Sequence, residues 1–346
     1  MAQLFFEALR CAGHEPLLAS RLRSFDGRGD AARQARLKAI GERIAARLLR
    51  RIDAAPSMAP ELWFTYHIYH KAPDWLGPLV ATALAIPYVV AEASYAPRQE
   101  AGPWAEGHRA AAAAIRRADA VIGLNPADRA GVMPLLADPR RWVMIKPFLD
   151  AGRFPAQPHR ARPVPHLITV AMMRHGDKLS SYRLLGEALG RLLDRDWTLE
   201  VIGDGAARDA VRAALAGLGG RVRWAGALSP EATAARLADA DLYVWPAINE
   251  AFGMALLEAQ ASGLPVVAGA SGGVAEVVAD TVSGLLVAPG DVAAFAAAVR
   301  RLLDDPELRR CYAAAARRRV VAEHDLRPAA QQLGAVLRDL RPAPAA

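Results

Sequence analysis

Cysteine is nearly absent: Cys11 and Cys311 are the only two in 346 residues, and they stand at opposite ends of the chain. That count argues against a disulfide framework or a cysteine-held zinc site, and a reducing, cytoplasmic setting is the expectation. Long apolar runs are missing as well. The longest, 79–91, contains Pro87 and is too short to span a bilayer. Nothing resembles a secretory leader, and no extended low-complexity tract interrupts the sequence. A globular chain of this length suits two domains rather than one core. The net charge of +7 comes mostly from arginines spread over stretches such as 33–51 and 300–319. No reading helix or aromatic-basic sheet motif accompanies them, so nucleic acid is not the expected partner. Solvated helix faces account for most of this charge. Peripheral contact with an anionic inner membrane face is the remaining expectation it raises.

Strand and helix patterns alternate along the whole chain, which argues for parallel sheets. Leu4, Phe5, Ala8 and Leu9 make a helical stripe, and Leu17-Leu18-Ala19 reads as a strand. A long amphipathic helix over 31–52 and a strand over 62–66 follow, the latter running into His67 and His70. Asp74 is placed to cap the next helix, with Leu76, Leu79, Val80 and Leu84 on its inner side. The strand at 87–91 leaves Glu92, Ser94 and Tyr95 just past its end. Residues 150–165 are rich in Pro, Arg and His without periodicity and read as a linker. The alternation then restarts. The expected domains are 1–155, 156–325 and a terminal segment 326–346 that packs back on the first.

In open parallel sheets ligands bind beyond the carboxyl ends of the strands, so the loops there carry the argument. After the strand 242–245 and Pro246 comes Asn249-Glu250-Ala251-Phe252-Gly253-Met254, then a helix containing Glu258. The first amides of a helix have no partner inside it and, with the macrodipole, form an anion site. A carboxylate ahead of that site and another behind it would hold hydroxyls on both sides of a bound diphosphate, the layout of a nucleotide sugar. Arg174 and Lys178 follow the strand 167–172 and would face the same ligand edge. Gly203-Asp204-Gly205 after the strand 198–202 lets backbone approach closely, and Ser271-Gly272-Gly273 offers further amides. Asp239-Ala240-Asp241 looks like an acidic metal triplet but falls at the wrong end of the sheet, and no metal site is expected.

In this order, Gly203-Asp204-Gly205, the Glu-x7-Glu of Glu250 and Glu258, Gly263-Leu264-Pro265-Val266-Val267, Gly272-Gly273 and Ser283 to Asp291 resemble glycosyltransferase family 4. The resemblance covers nearly all of 167–325. It is looser over the first 150 residues, carried there by Ala12 to Glu15, the His67 region, Ile86-Pro87 and Pro147 to Asp150. It implies a GT-B fold: α/β, two Rossmann-like parallel-sheet domains facing a cleft, here without the first strand of the amino-terminal domain. It also implies retaining transfer from a nucleotide-diphosphate sugar, with no cofactor and no metal, to a carbohydrate-type, lipid or small-molecule acceptor. On the matching positions Glu250 would touch the donor sugar, Glu258 the ribose, the amides of Phe252, Gly253 and Met254 the diphosphate or sugar, and Lys178 the diphosphate. Gly203, Gly205, Gly272 and Gly273 would shape the donor pocket, while His67 and His70 would face the acceptor side. Met172 stands where an arginine is usual, which makes Arg174 the substitute, and Glu92 stands where many members have a histidine.

Two other readings compete. A donor-binding protein without catalysis would follow from the missing first strand and its glycine-rich loop. A glycoside hydrolase using Glu250 and Glu258 would need its carboxylates to flank one bond, whereas these two share one segment on the same side of the anion site.

Overall fold

The structure is a computed structural model and describes residues 1–155 and 162–340. The chain forms two compact units, one built from Ala2–Ile145 with the residues from Ala330 on, the other from Lys146–Ala329.

The first unit carries a four-stranded parallel sheet in the order β1-β2-β3-β4, formed by Trp63–Ile68, Tyr88–Ala93, Ala120–Gly123 and Trp142–Met144. Helices α1 (Ala2–Cys11), α2 (Ala31–Ala54), α3 (Gly77–Ala83), α4 (Ala105–Arg117) and α5 (Pro126–Val132) accompany it. Strand β2 is the reason the sheet has a dry centre: Tyr88, Val89, Val90 and Ala91 are all fully buried. Asp74 sets the entry to α3. Its Oδ1 accepts the amides of Leu76 (2.9 Å) and Gly77 (2.8 Å), and its Oδ2 accepts the hydroxyls of Thr65 (2.6 Å) and Tyr88 (2.8 Å).

Three expectations for this unit are corrected. Leu17-Leu18-Ala19 is not a strand: the leucines are 81% and 66% exposed and no sheet edge pairs with them, so three apolar residues without a ladder stay in coil. Leu79 is exposed, because α3 is a short helix that turns Gly77, Val80 and Ala81 inward, with Leu76 buried just before it. Glu92 lies inside β2, which runs on to Ala93 beside β1, rather than beyond its end.

The second unit carries a six-stranded parallel sheet, β10-β9-β8-β5-β6-β7. Its strands are β5 (His166–Val170), β6 (Thr198–Ile202), β7 (Val222–Gly226), β8 (Leu242–Trp245), β9 (Val266–Gly269) and β10 (Gly284–Val287). Between them run α6 (Asp177–Gly190), α7 (Arg208–Leu215), α8 (Pro230–Ala238), α9 (Met254–Ala261) and α10 (Val274–Val277). After β10 come α11 (Val292–Asp304), α12 (Pro306–Glu323) and α13 (Leu326–Asp339), within which the chain passes back to the first unit. Every residue of β8 and β9 is buried, as expected of central strands covered on both faces.

Part of the expected linker, 156–161, lies outside the described residues. The part before it is fixed. Leu149 donates its amide to His324 O (2.9 Å), Ala151 to Asp325 Oδ1 (2.9 Å), and His324 Nδ1 lies 2.7 Å from Pro147 O. The connector 146–154 therefore packs along the end of α12. Burial of His324 lowers its imidazole pKa to about 4, so it is neutral at pH 7. Among the described residues no helix is long and apolar enough to cross a membrane.

Gly41 lies in the middle of α2, where a Cβ would come within 2.4 Å of Trp75 Cβ. Replacing an interior helical glycine by alanine ordinarily stabilises by about 1 kcal/mol. Here the overpacking against Trp75 reverses the sign, and Gly41→Ala is expected to lower stability by roughly 1–3 kcal/mol. Urea unfolding measures it; an unchanged or raised midpoint would contradict this packing.

Candidate functional site

The strand order places a topological switch point between β5 and β8. From β5 the chain moves outward through β6 and β7; from β8 it moves outward the other way through β9 and β10. Loops leaving the carboxyl ends of β5 and β8 border the crevice where the connections diverge. One of these loops leads to Lys178, the other to Glu250.

The loop 246–253 is bent. Ala247 (φ 54°) and Asn249 (φ 50°) hold left-handed backbone without being glycine, and Gly253 (φ 72°) does so immediately before α9. At Ala247 and Asn249 such conformations cost on the order of 1–3 kcal/mol, less for asparagine, and persist where the surroundings impose them, whereas Gly253 adopts its own without a Cβ penalty. The amino-terminal turn of α6 does the imposing. Ile248 donates its amide to Ser181 Oγ (3.0 Å) and Asn249 Nδ2 donates to Asp177 Oδ2 (2.8 Å), while Lys178 Nζ pairs with Glu250 Oε2. The same carboxylate oxygen accepts Trp245 Nε1 at 3.2 Å, and the Lys178 ammonium lies 5.4 Å from the Trp245 ring centre. Tyr182 meets that ring edge-on at 5.0 Å. The amide of Glu250 donates to Ser271 Oγ at 3.2 Å. With side-chain exposures of only 25% and 17%, Lys178 and Glu250 form a pair whose attraction is screened less than at an open surface.

The four glycines act on backbone. A Cβ on Gly272 (φ 53°) would come within 2.0 Å of Glu250 O, and one on Gly273 within 2.3 Å of Ala251 O. Gly273 donates its amide to Ala251 O at 2.8 Å, so it is not a free donor as the sequence suggested; the glycine pair seats the Glu250 loop. Gly203 (φ 141°) and Gly205 (φ 151°) behave alike, their Cβ positions falling within 2.0 Å of Ala171 O and 2.4 Å of Met173 O. Their amides go to Gly226 O and to Asp204 Oδ1, both at 2.8 Å. That turn packs on the loop after β5. By contrast, the amides of Phe252, Gly253 and Met254 have no hydrogen-bond acceptor among the described residues, and no side chain caps α9. They are the unpartnered donors of the region.

Glu258 projects from the second turn of α9, and burial pushes its carboxyl up to about 7. Lys178 belongs to the first turn of α6, which begins at Asp177. Arg174 is exposed in the bend before it and makes no hydrogen bond or ion pair through its side chain among the described residues. Sequence reasoning singled out the two glutamates and the lysine but missed that Asp177, Ser181, Trp245 and the Ser271 hydroxyl hold Glu250 and its loop. Trp245 at the very end of a buried strand and Ser271 directly before the glycine pair were the available signals.

In the first unit, His67 (φ 62°) and Glu92 (φ 59°) are both left-handed and face each other across β1 and β2, between the paired positions Tyr66–Ala91 and Ile68–Ala93. His67 Nδ1 lies 3.4 Å from Glu92 Oε1. Burial, reinforced by the Glu92 charge, raises the pKa values of the Tyr66 hydroxyl and the Asp128 carboxyl. His70 is not part of that pair. Its ring packs edge-on against Tyr69 (5.3 Å) and Trp104 (5.6 Å), and partial burial together with Lys71 lowers its pKa.

Residues 168–319 match the family described as glycosyl transferases group 1. That span holds Lys178, Glu250, Glu258 and all four glycines. The D-inositol 3-phosphate glycosyltransferase of Geodermatophilus obscurus is 36% identical over 190 residues, 50% of this chain and 42% of that protein. The glycogen synthase of Mycobacterium tuberculosis is 31% identical over 271 residues, 73% of this chain and 64% of the relative. The chain thus spans less than two thirds of the length of either. Among solved structures, sucrose-phosphate synthase from Thermosynechococcus elongatus aligns with a TM-score of 0.66 at 22% identity, covering 86% of this chain and 78% of that one. The Anabaena protein HepE in complex with UDP aligns with a TM-score of 0.68 at 19% identity, covering 86% and 82%. The fold is GT-B, with two Rossmann-like parallel-sheet units, and the similarities together support a GT-B glycosyltransferase.

The carboxyl of Glu258 gives a pH test. In the folded chain it keeps its proton up to about 7, against 4.5 for the free group. Between those values the folded state binds more protons than the unfolded one, so stability falls as pH rises through this window and levels off above it. Glu258→Gln removes the titration. Its stability relative to the parent chain is expected to rise by on the order of 3 kcal/mol between pH 4.5 and pH 8, read from urea midpoints. A difference that does not vary with pH would overturn the assignment.

Proposed function

We propose that this chain is a retaining glycosyltransferase of family 4 that moves a sugar from a nucleotide-diphosphate sugar to a glycan, lipid or small-molecule acceptor. The observation that carries the reading is the Lys178–Glu250–Trp245 cluster at the switch point, beside the free amides of Phe252, Gly253 and Met254. A cation and unpartnered N–H groups are what a diphosphate needs as its charge develops, and they meet that need without a metal. Glu250 binds hydroxyls of the donor sugar, Glu258 the ribose hydroxyls, and Lys178 with Arg174 the diphosphate. The bond from the anomeric carbon to the diphosphate breaks with its electron pair passing to phosphate oxygen. The acceptor hydroxyl attacks from the same face, and its proton goes to that oxygen. His67, His70 and Glu92 serve the acceptor.

Two further observations bear on the setting. UDP is bound in the HepE structure, and a related structure of that protein holds UDP-glucose, so uridine donors are the first to try. Leu17, Leu18 and Phe25 are exposed along a segment that also carries Arg21 and Arg23, which supports peripheral contact with an anionic membrane face for an enzyme we place in the cytoplasm.

The test is donor-dependent release of nucleoside diphosphate with UDP-, ADP- and GDP-sugars over a panel of glycan, lipid and small-molecule acceptors. Lys178→Ala and Glu250→Gln are each expected to lower turnover about 100-fold or more. Nucleoside diphosphate should still raise the melting temperature of Glu250→Gln, since its main partners there are Lys178 and backbone. No melting shift of the parent chain by any of the three at millimolar concentration would sink the proposal. A shift without turnover would favour the non-catalytic donor-binding reading.

A further inference from the structure

We infer that Arg317 and Arg319 of α12 are positioning residues for the donor end of the site, an inference that rests on the donor reading above. Helix carboxyl ends leave carbonyls without partners and favour a cation there. α12 supplies cations to two of them. Arg317 Nη1 donates to Ala261 O, the last residue of α9, and Arg319 Nη1 lies 3.4 Å from Val277 O, the last residue of α10. Gln260 of α9 donates to the same Val277 carbonyl at 2.9 Å, so the two helix ends are also tied to each other.

The opposite ends of these helices matter for function. α9 begins at the free amides of Gly253 and Met254, and α10 begins directly after the glycine pair that seats the Glu250 loop. An eight-residue helix is about 12 Å long, and a tilt allowed at one end displaces the other. Arg317 does one thing more. The same Nη1 donates to Ala151 O (3.2 Å) and Phe154 O (3.0 Å), so the connector leading out of the other unit is held by the group that holds α9. Donor binding at the start of α9 and the conformation of the connector are thereby joined through one guanidinium.

Binding of UDP, ADP and GDP to the parent chain and to Arg317→Met, Arg317→Lys and Arg319→Met tests this, by titration calorimetry well below each variant's own melting temperature. Arg317→Met is expected to weaken the nucleotide that the parent chain binds about tenfold. Arg317→Lys should recover most of it, because an ammonium has three N–H groups for the three carbonyls. Arg319→Met should lose about threefold. Hydrogen exchange supplies a readout that a purely structural arginine would not move: nucleotide is expected to slow exchange over 151–154 in the parent chain and not in Arg317→Met. Parent-like affinity in a folded Arg317→Met would overturn the inference. If that variant does not fold, parent-like affinity in Arg319→Met, or a Lys variant no tighter than Arg319→Met, would do so. If the parent chain binds none of the three nucleotides, the donor reading fails and takes this inference with it.

Discussion

Everything at the candidate site depends on a backbone that would not hold its shape alone. Between Trp245 and Met254 the chain adopts left-handed conformations at Ala247, Asn249 and Gly253, two of them at residues with a Cβ. The strain is matched by contacts from outside the loop, with Asp177, Lys178 and Ser181 on one side and Ser271 and the glycine pair on the other. These clamps come from the connections after β5 and β9, strands that flank β8 in the sheet. The switch-point topology is thus what allows the loop to exist as well as what leaves a crevice beside it.

Much of this was legible in the sequence, and the reasons differ by residue. Strand β8 follows from the unbroken apolar run 242–245 and helix α12 from Pro306 at its start, which are local properties of the chain. Glu250, Glu258 and the glycine motifs stood out because their order along the chain resembles one family. What could not be read were meetings between residues far apart in sequence. Asp177 and Asn249 are one such pair, and nothing in either neighbourhood announces the other. The misreadings have the same root. Leu17-Leu18-Ala19 has the composition of a strand but no ladder partner, and the amide of Gly273 looks free in the sequence but meets Ala251 O in the fold.

The two units share one habit of backbone. In the second, left-handed positions fall on glycine at 203, 205, 253 and 272 but also on Ala247, Asn249 and Thr281. In the first, they include His67 and Glu92 within paired strands, where the two side chains face each other. A left-handed position that carries a Cβ is sterically uncomfortable, and both units accept that cost, the first inside its sheet and the second in the loop after β8.

The glycines at 203, 205, 272 and 273 give this design an unusual kind of sensitivity. Each marks a place where one length of main chain rests on the carbonyl of another with no room for a methyl group. What these residues contribute is clearance. An alanine scan of the motif would score them as ligand contacts, since their replacement would disturb binding, yet the atom responsible would be the one added and the group displaced would be a neighbouring loop. Residues that touch a ligand and residues that keep two loops close enough to hold it would be told apart only by where the main chain had moved.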